Sequence, residues 1–161
     1  MSNEAPRALV VPFTFLMALI LTLLPMPEWA VWFRPAWVLL ALIYWVITYP
    51  YYVSVGSAWI LGILLDVLNG TLLGEHALAL TVVTYFVLRL HAQLRMYPLL
   101  QQALWVGLFV LTYQAILYCV QGMIGGLPKT WMYWAPTLTS MLIWPWVFFI
   151  LRDFRRRYNT A

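Results

Sequence analysis

Six stretches of the chain are apolar and nearly free of charge, and short polar or aromatic connectors separate them: residues 8–26, 36–49, 55–68, 77–90, 99–121 and 131–151. About 20 apolar residues in a helix cross a bilayer, so the pattern predicts a six-helix transmembrane bundle. The first run follows a short polar leader. It is longer than the apolar core of a signal peptide, and Leu24-Pro25-Met26-Pro27 is not a small-residue cleavage site, so it reads as a retained helix. The second and third runs are short, which keeps a re-entrant hairpin open beside two full crossings. The uncharged connector 50–54 between them predicts that they are antiparallel neighbours. The connector 27–35 carries Trp29, Trp32 and Phe33, rings that suit the headgroup zone. The fifth run is the most polar of the long ones, with Gln101, Gln102, Thr112, Tyr113 and Gln114. The sixth contains Pro136 and Pro145; each is expected to kink a helix whose neighbours satisfy the carbonyl it frees.

One stretch organises the rest. At a spacing of four, Ala58, Gly62, Asp66 and Gly70 fall on one helical stripe. Small residues so placed let a neighbouring helix approach, which makes Ala58, Gly62 and Gly70 the expected packing positions. Asp66 interrupts the stripe with a carboxylate. Charge in hydrocarbon is costly, so Asp66 must face protein or water. The segment Asn69-Gly70-Thr71-Leu72-Leu73-Gly74 then ends the helix and turns the chain back.

Composition narrows the class. The chain is 65% hydrophobic, 17% aromatic and 9% charged, against roughly 25% charged in soluble domains. This is the composition of an all-α integral membrane protein with one domain over residues 1–161. The lone cysteine, Cys119, forms no intramolecular disulfide and reads as a small buried side chain. Orientation follows from the nine basic residues. With the amino terminus inside, Arg7, Arg89, Arg95, Arg152, Arg155, Arg156 and Arg157 are cytoplasmic, and only Arg34 and Lys129 are external. No internal repeat supports an inverted-repeat transporter.

No P-loop, nucleophile elbow or metal-ligand spacing is present, so the residues point to no catalytic set, cofactor or metal. His76 and His91 fall on opposite sides of the predicted membrane. The candidate site is an external cluster of Arg34, Asp66, Glu75 and His76. It has two readings: a polar cavity open to the outside, or helix caps and one ion pair that fix the bundle. Glu75 at a helix start suits the helix dipole under either. Arg34, just before the second run, is the expected partner of Asp66, with His76 or an amide of the Gly70–Gly74 turn next in line. The basic tail, Arg152, Arg155, Arg156 and Arg157, satisfies the positive-inside rule and could also meet anionic lipid or a cytoplasmic partner.

Several motifs in order carry a family resemblance: Phe33-Arg34-Pro35-Ala36-Trp37-Val38-Leu39-Leu40, Tyr44-Trp45, Val55-Gly56, Gly62-Ile63-Leu64-Leu65-Asp66, Gly70-Thr71-Leu72-Leu73-Gly74 and Trp144-Pro145-Trp146-Val147-Phe148 before the basic tail. The chain resembles the bacterial rod shape-determining MreD family along nearly its whole length. That resemblance implies a non-enzymatic membrane scaffold of cell-wall elongation in the bacterial inner membrane. Its implied partner is MreC, with MreB, RodZ, RodA and a penicillin-binding transpeptidase contacted directly or indirectly; membrane lipid is implied and nucleic acid is not. It also implies a fold similar to the substrate-binding subunits of energy-coupling-factor transporters. The alternative is therefore a small-molecule-binding or transport subunit with an external-side pocket. The charge distribution predicts that a phosphatase active only outside the cell stays inactive when fused after Arg157; activity there would overturn the six-span topology.

Overall fold

Residues Val38 to Ile47 are all buried, so the helix that carries them is apolar around its whole circumference and must be wrapped by others. In the computed structural model, which describes residues 4–25, 27, 36–50, 53–70, 74–125 and 134–159, this helix is α2 (Trp37–Thr48). The described residues form six α-helices, the others being α1 (Glu4–Leu23), α3 (Val55–Asn69), α4 (Glu75–Met96), α5 (Leu99–Ile124) and α6 (Ala135–Asn159). Helices α1, α4, α5 and α6 all pack on α2, and α3 lies outside it, against α4 and more lightly against α1.

The exterior is as apolar as the interior. Phe13, Leu16, Ile20, Trp59, Ile60, Val67, Leu104, Leu142 and Ile150 all point outward. A surface of this kind is solvated by lipid, not water. Helices α4, α5 and α6 are long and apolar enough to cross a membrane. Helix α2 is not: its 12 residues rise about 18 Å at 1.5 Å per residue, against about 30 Å of hydrocarbon.

A helix that ends below the headgroups must have its terminal backbone groups satisfied by protein. Helix α2 receives this at both ends. The Ser140 hydroxyl of α6 accepts a hydrogen bond from Ala36 N–H at 3.2 Å. Arg95 of α4 donates to the carbonyls of Ile47 and Thr48 at 2.7 and 2.9 Å. Other side chains fix its sides: the Trp45 indole donates to Thr14 of α1 at 2.8 Å.

Helices α4 and α5 form an antiparallel pair tied near both ends. Gln102 donates to the Leu94 carbonyl at 2.8 Å, and Gln121 donates to Glu75 at 3.2 Å. The two ties lie in one register. Gln102 also accepts from the Trp144 indole at 3.4 Å, bringing in α6. At the other end of the α5–α6 pair, Thr137 donates to Gln114.

Five expectations are corrected. Helices α2 and α3 are not packed neighbours despite their short connector, because α3 has its close-approach glycine turned to α4. Pro136 lies in the first turn of α6, where its missing N–H breaks no intrahelical bond; only Pro145 is internal, and the helix continues through it and through the basic tail. Cys119 is exposed, on a helix whose outward face meets lipid, where a thiol is as acceptable as in a core. Gly70 is not a packing position: it is exposed, with open space around its Cα, and ends α3 in the left-handed conformation at φ 69°. Helix α4 also outruns its predicted bounds, so that Arg89, His91 and Arg95 lie within its last turns rather than in a loop.

Ala58 is fully buried on the inner face of α3. Gly62, one turn on, presses directly on the start of α4. A Cβ at this position would fall 2.8 Å from the His76 carbonyl carbon and closer still to Ala77 N and Cα, all backbone atoms that cannot swing aside. Overpacking a core costs about 1–3 kcal/mol where side chains can give way. Gly62→Leu is therefore expected to exceed that range, while Leu61→Val, the loss of one methylene, stays within about 1 kcal/mol. Thermal unfolding of detergent-solubilised protein checks this; equal tolerance of both changes would mean that α4 does not bear on Gly62.

Candidate functional site

The end of the bundle where α3 stops and α4 starts holds two buried carboxylates, Asp66 and Glu75. Asp66 lies one turn before the end of α3 and is 1% exposed. Gly74, the residue that caps α4, has no side chain and sits at φ 102°, a conformation glycine adopts without strain. The first amides of α4 thus have no acceptor of their own. Asp66 supplies one from the neighbouring helix: its Oδ2 accepts from Gly74 N–H at 2.8 Å and its Oδ1 from His76 N–H at 3.0 Å. His76 Nδ1 lies 2.7 Å from the same Oδ1. A carboxylate only accepts, so Nδ1 carries the proton in this contact. Three donors and the positive end of a helix dipole converge on one carboxylate, which accounts for a charged group at this depth.

Glu75, the first residue of α4, is 4% exposed and takes the Gln121 amide of α5. The His76 ring reaches across to Tyr113 of α5, with centroids 6.2 Å apart. The three described members of the sequence-derived cluster, Asp66, Glu75 and His76, thus occupy one site where α3, α4 and α5 meet. Arg34 lies outside the described residues. The basic residues Arg152, Arg155, Arg156 and Arg157 lie at the opposite end, on the last turns of α6.

The site also holds a residue that sequence reasoning left unassigned. Gln121 is an ordinary-looking amide in a long apolar run; its only signal was the unusual polarity of that run. Arg95 and Gln102, which organise the other end, were counted as a charge and as a polar residue, without a target. The groups they donate to are backbone carbonyls, which carry no mark in a sequence.

Among the described residues no group of three or more His, Cys, Asp or Glu side chains could hold a metal ion. What the arrangement does chemically is hold the start of α4 to the end of α3. A buried donor left without its acceptor costs about 1–3 kcal/mol, so losing an acceptor shared by two backbone amides and the His76 ring costs roughly 3–5 kcal/mol. Asp66→Ala is expected to destabilise by that order and Asp66→Asn by about 1–3 kcal/mol, since the amide keeps one acceptor but turns a donor toward a donor. His76→Ala leaves both backbone bonds and costs less. In a double-mutant cycle, Asp66→Ala with His76→Ala falls short of the sum of the two. Denaturant unfolding in detergent measures all four, and additivity would separate the two side chains.

The comparisons with known proteins fit this frame. A family model described as rod shape-determining protein MreD matches residues 4–154. The chain is 35% identical over 143 residues to a rod shape-determining protein MreD of Haemophilus influenzae, covering 89% of this chain and 88% of that protein. No solved structure matches. A match that runs from α1 to the basic turns of α6 takes in every helix and every tie described above, and the chain belongs to the rod shape-determining MreD family of membrane proteins.

Proposed function

We propose that this protein is a non-catalytic, multi-pass scaffold of cell-wall elongation in the bacterial inner membrane, with both termini in the cytoplasm. In this reading it holds the membrane span of MreC and helps to position the peptidoglycan-synthesis enzymes, reaching RodA, the transpeptidase, RodZ and MreB directly or through MreC. One observation carries the reading: the two buried carboxylates, Asp66 and Glu75, each bind a second helix of the same chain. Side chains so engaged build a fixed shape, and a scaffold needs a fixed shape above all.

The test is complementation in a rod-shaped bacterium lacking its own family member. The expected outcome is that this chain restores rods and co-purifies with MreC. Asp66→Ala and Gly62→Leu are expected to lose both effects together, and Arg157→Gln to keep both. Restored shape without MreC in the purified complex would overturn the MreC part of the reading. A stoichiometric small molecule retained on the purified protein, and absent from lipid-only controls, would favour the ligand-binding alternative.

A further inference from the structure

The shortness of α2 has a second consequence, at its carboxyl-terminal end. The last turn of α4 and the last turns of α6 stand beside the end of α2, where Arg95 of α4 reaches the Ile47 and Thr48 carbonyls. They overhang a recess of about 330 Å³ lined by Tyr44 and Thr48 of α2, Arg95 of α4, Gln102 of α5, and Phe148 and Arg155 of α6. Its size is that of a small-ligand site.

The charge in this recess is one-sided. Two guanidinium groups line it and no carboxylate does. Arg95 uses Nε and one Nη2 hydrogen on the carbonyls of Ile47 and Thr48, so three of its five donors remain. Arg155 makes no hydrogen bond or ion pair among the described residues. One turn earlier Arg152 packs its guanidinium on the rings of Phe148 and Phe149, at 5.8 and 4.9 Å, and its Nε is buried without an acceptor. Like charges facing one cavity repel, and an anion between them turns the repulsion into attraction. The walls are mixed: Phe148, Ile47 and the Tyr44 ring are apolar, while the Tyr44 and Thr48 hydroxyls, the Gln102 amide and the two guanidinium groups are polar. A ligand with a phosphate beside hydrocarbon matches both parts.

The geometry points to a binding site for the phosphate of an anionic glycerophospholipid, held between Arg155 and Arg95 where α2 ends, with its acyl chains leaving along the apolar outer face of α6. The recess lies at the end of the bundle that carries the basic turns of α6, beside the carboxyl-terminal end of α2. The site differs from general attraction of a basic tail to an anionic surface, since only Arg155 of the last three arginines lines it; Arg157 is exposed and outside.

Native mass spectrometry of the full chain in detergent, with phosphatidylglycerol or phosphatidylcholine added, tests the site. With two arginines on the phosphate, the wild type should hold its first phosphatidylglycerol about 25-fold more tightly than phosphatidylcholine. That is what about 1 kcal/mol per basic residue near an anionic lipid amounts to at 1.4 kcal/mol per tenfold. Arg155→Gln should cut the preference to about fivefold or less, and Arg157→Gln should keep it. Thr48→Phe, which fills the recess without changing charge, should remove the preference and serves if Arg155→Gln does not fold. Equal losses in the Arg155 and Arg157 variants, or a preference that survives Thr48→Phe, would overturn the site. Displacement of the lipid by millimolar inorganic phosphate would overturn its assignment to a lipid.

Discussion

The hold of Asp66 on the first amides of α4 is the interaction on which the remaining structure depends. It works only because two glycines make room for it. Gly62, one turn earlier on the same stripe, lets the α3 backbone come against the backbone of His76 and Ala77. Gly74 leaves the cap of α4 without a side chain, so the carboxylate meets bare N–H groups. Had residue 74 been a serine or aspartate, α4 would cap itself and Asp66 would be a buried charge with less to bind. The charge is stable here because it completes a helix end, and the helix end is complete because the charge is there.

The opposite end of the bundle repeats the logic with the sign reversed. There a helix carboxyl terminus, that of α2, receives a guanidinium from Arg95 near the end of α4. A carboxylate at an amino terminus and a cation at a carboxyl terminus are the two pairings a helix dipole favours. Helix α4 takes part in both: it is capped by α3 at its start and caps α2 at its finish. Its side is sewn to α5 by Glu75–Gln121 and Leu94–Gln102. It is therefore the strut of the molecule, while α2, buried all round, is its filling.

Much of this was legible in the sequence, and the line between legible and illegible has a physical cause. Helix positions followed from apolar runs, since lipid forbids alternatives to the helix over such lengths. Gly62 and Asp66 stood out because a small residue and a charge are each conspicuous on an apolar helix. The neighbour of α3 was misassigned because connector length constrains which ends meet, not which faces pack. Gly70 fitted the same spacing of four as Gly62, yet it lies where the helix needs a left-handed residue to stop, and spacing alone does not separate a packing glycine from a terminating one. The caps of α2 were invisible for a different reason: half of each is a backbone group, identical at every residue.

Lipid changes what the polar ties accomplish. In water, burying apolar faces would itself drive these helices together. In a bilayer the surrounding chains are as apolar as the helix faces, so close packing and hydrogen bonds between helices choose the arrangement. The outward side chains, such as Trp59, Ile60 and Val67 on α3, do not distinguish one arrangement from another. The choice rests on a small set of contacts: Asp66 with α4, Arg95 with α2, Gln102 with α4 and α6, Trp45 with α1, and the glycine at 62. All but Arg95, which is exposed at the end of α2, lie inside the bundle. A chain built this way sets its shape from within and leaves its apolar exterior clear of the groups that hold it together.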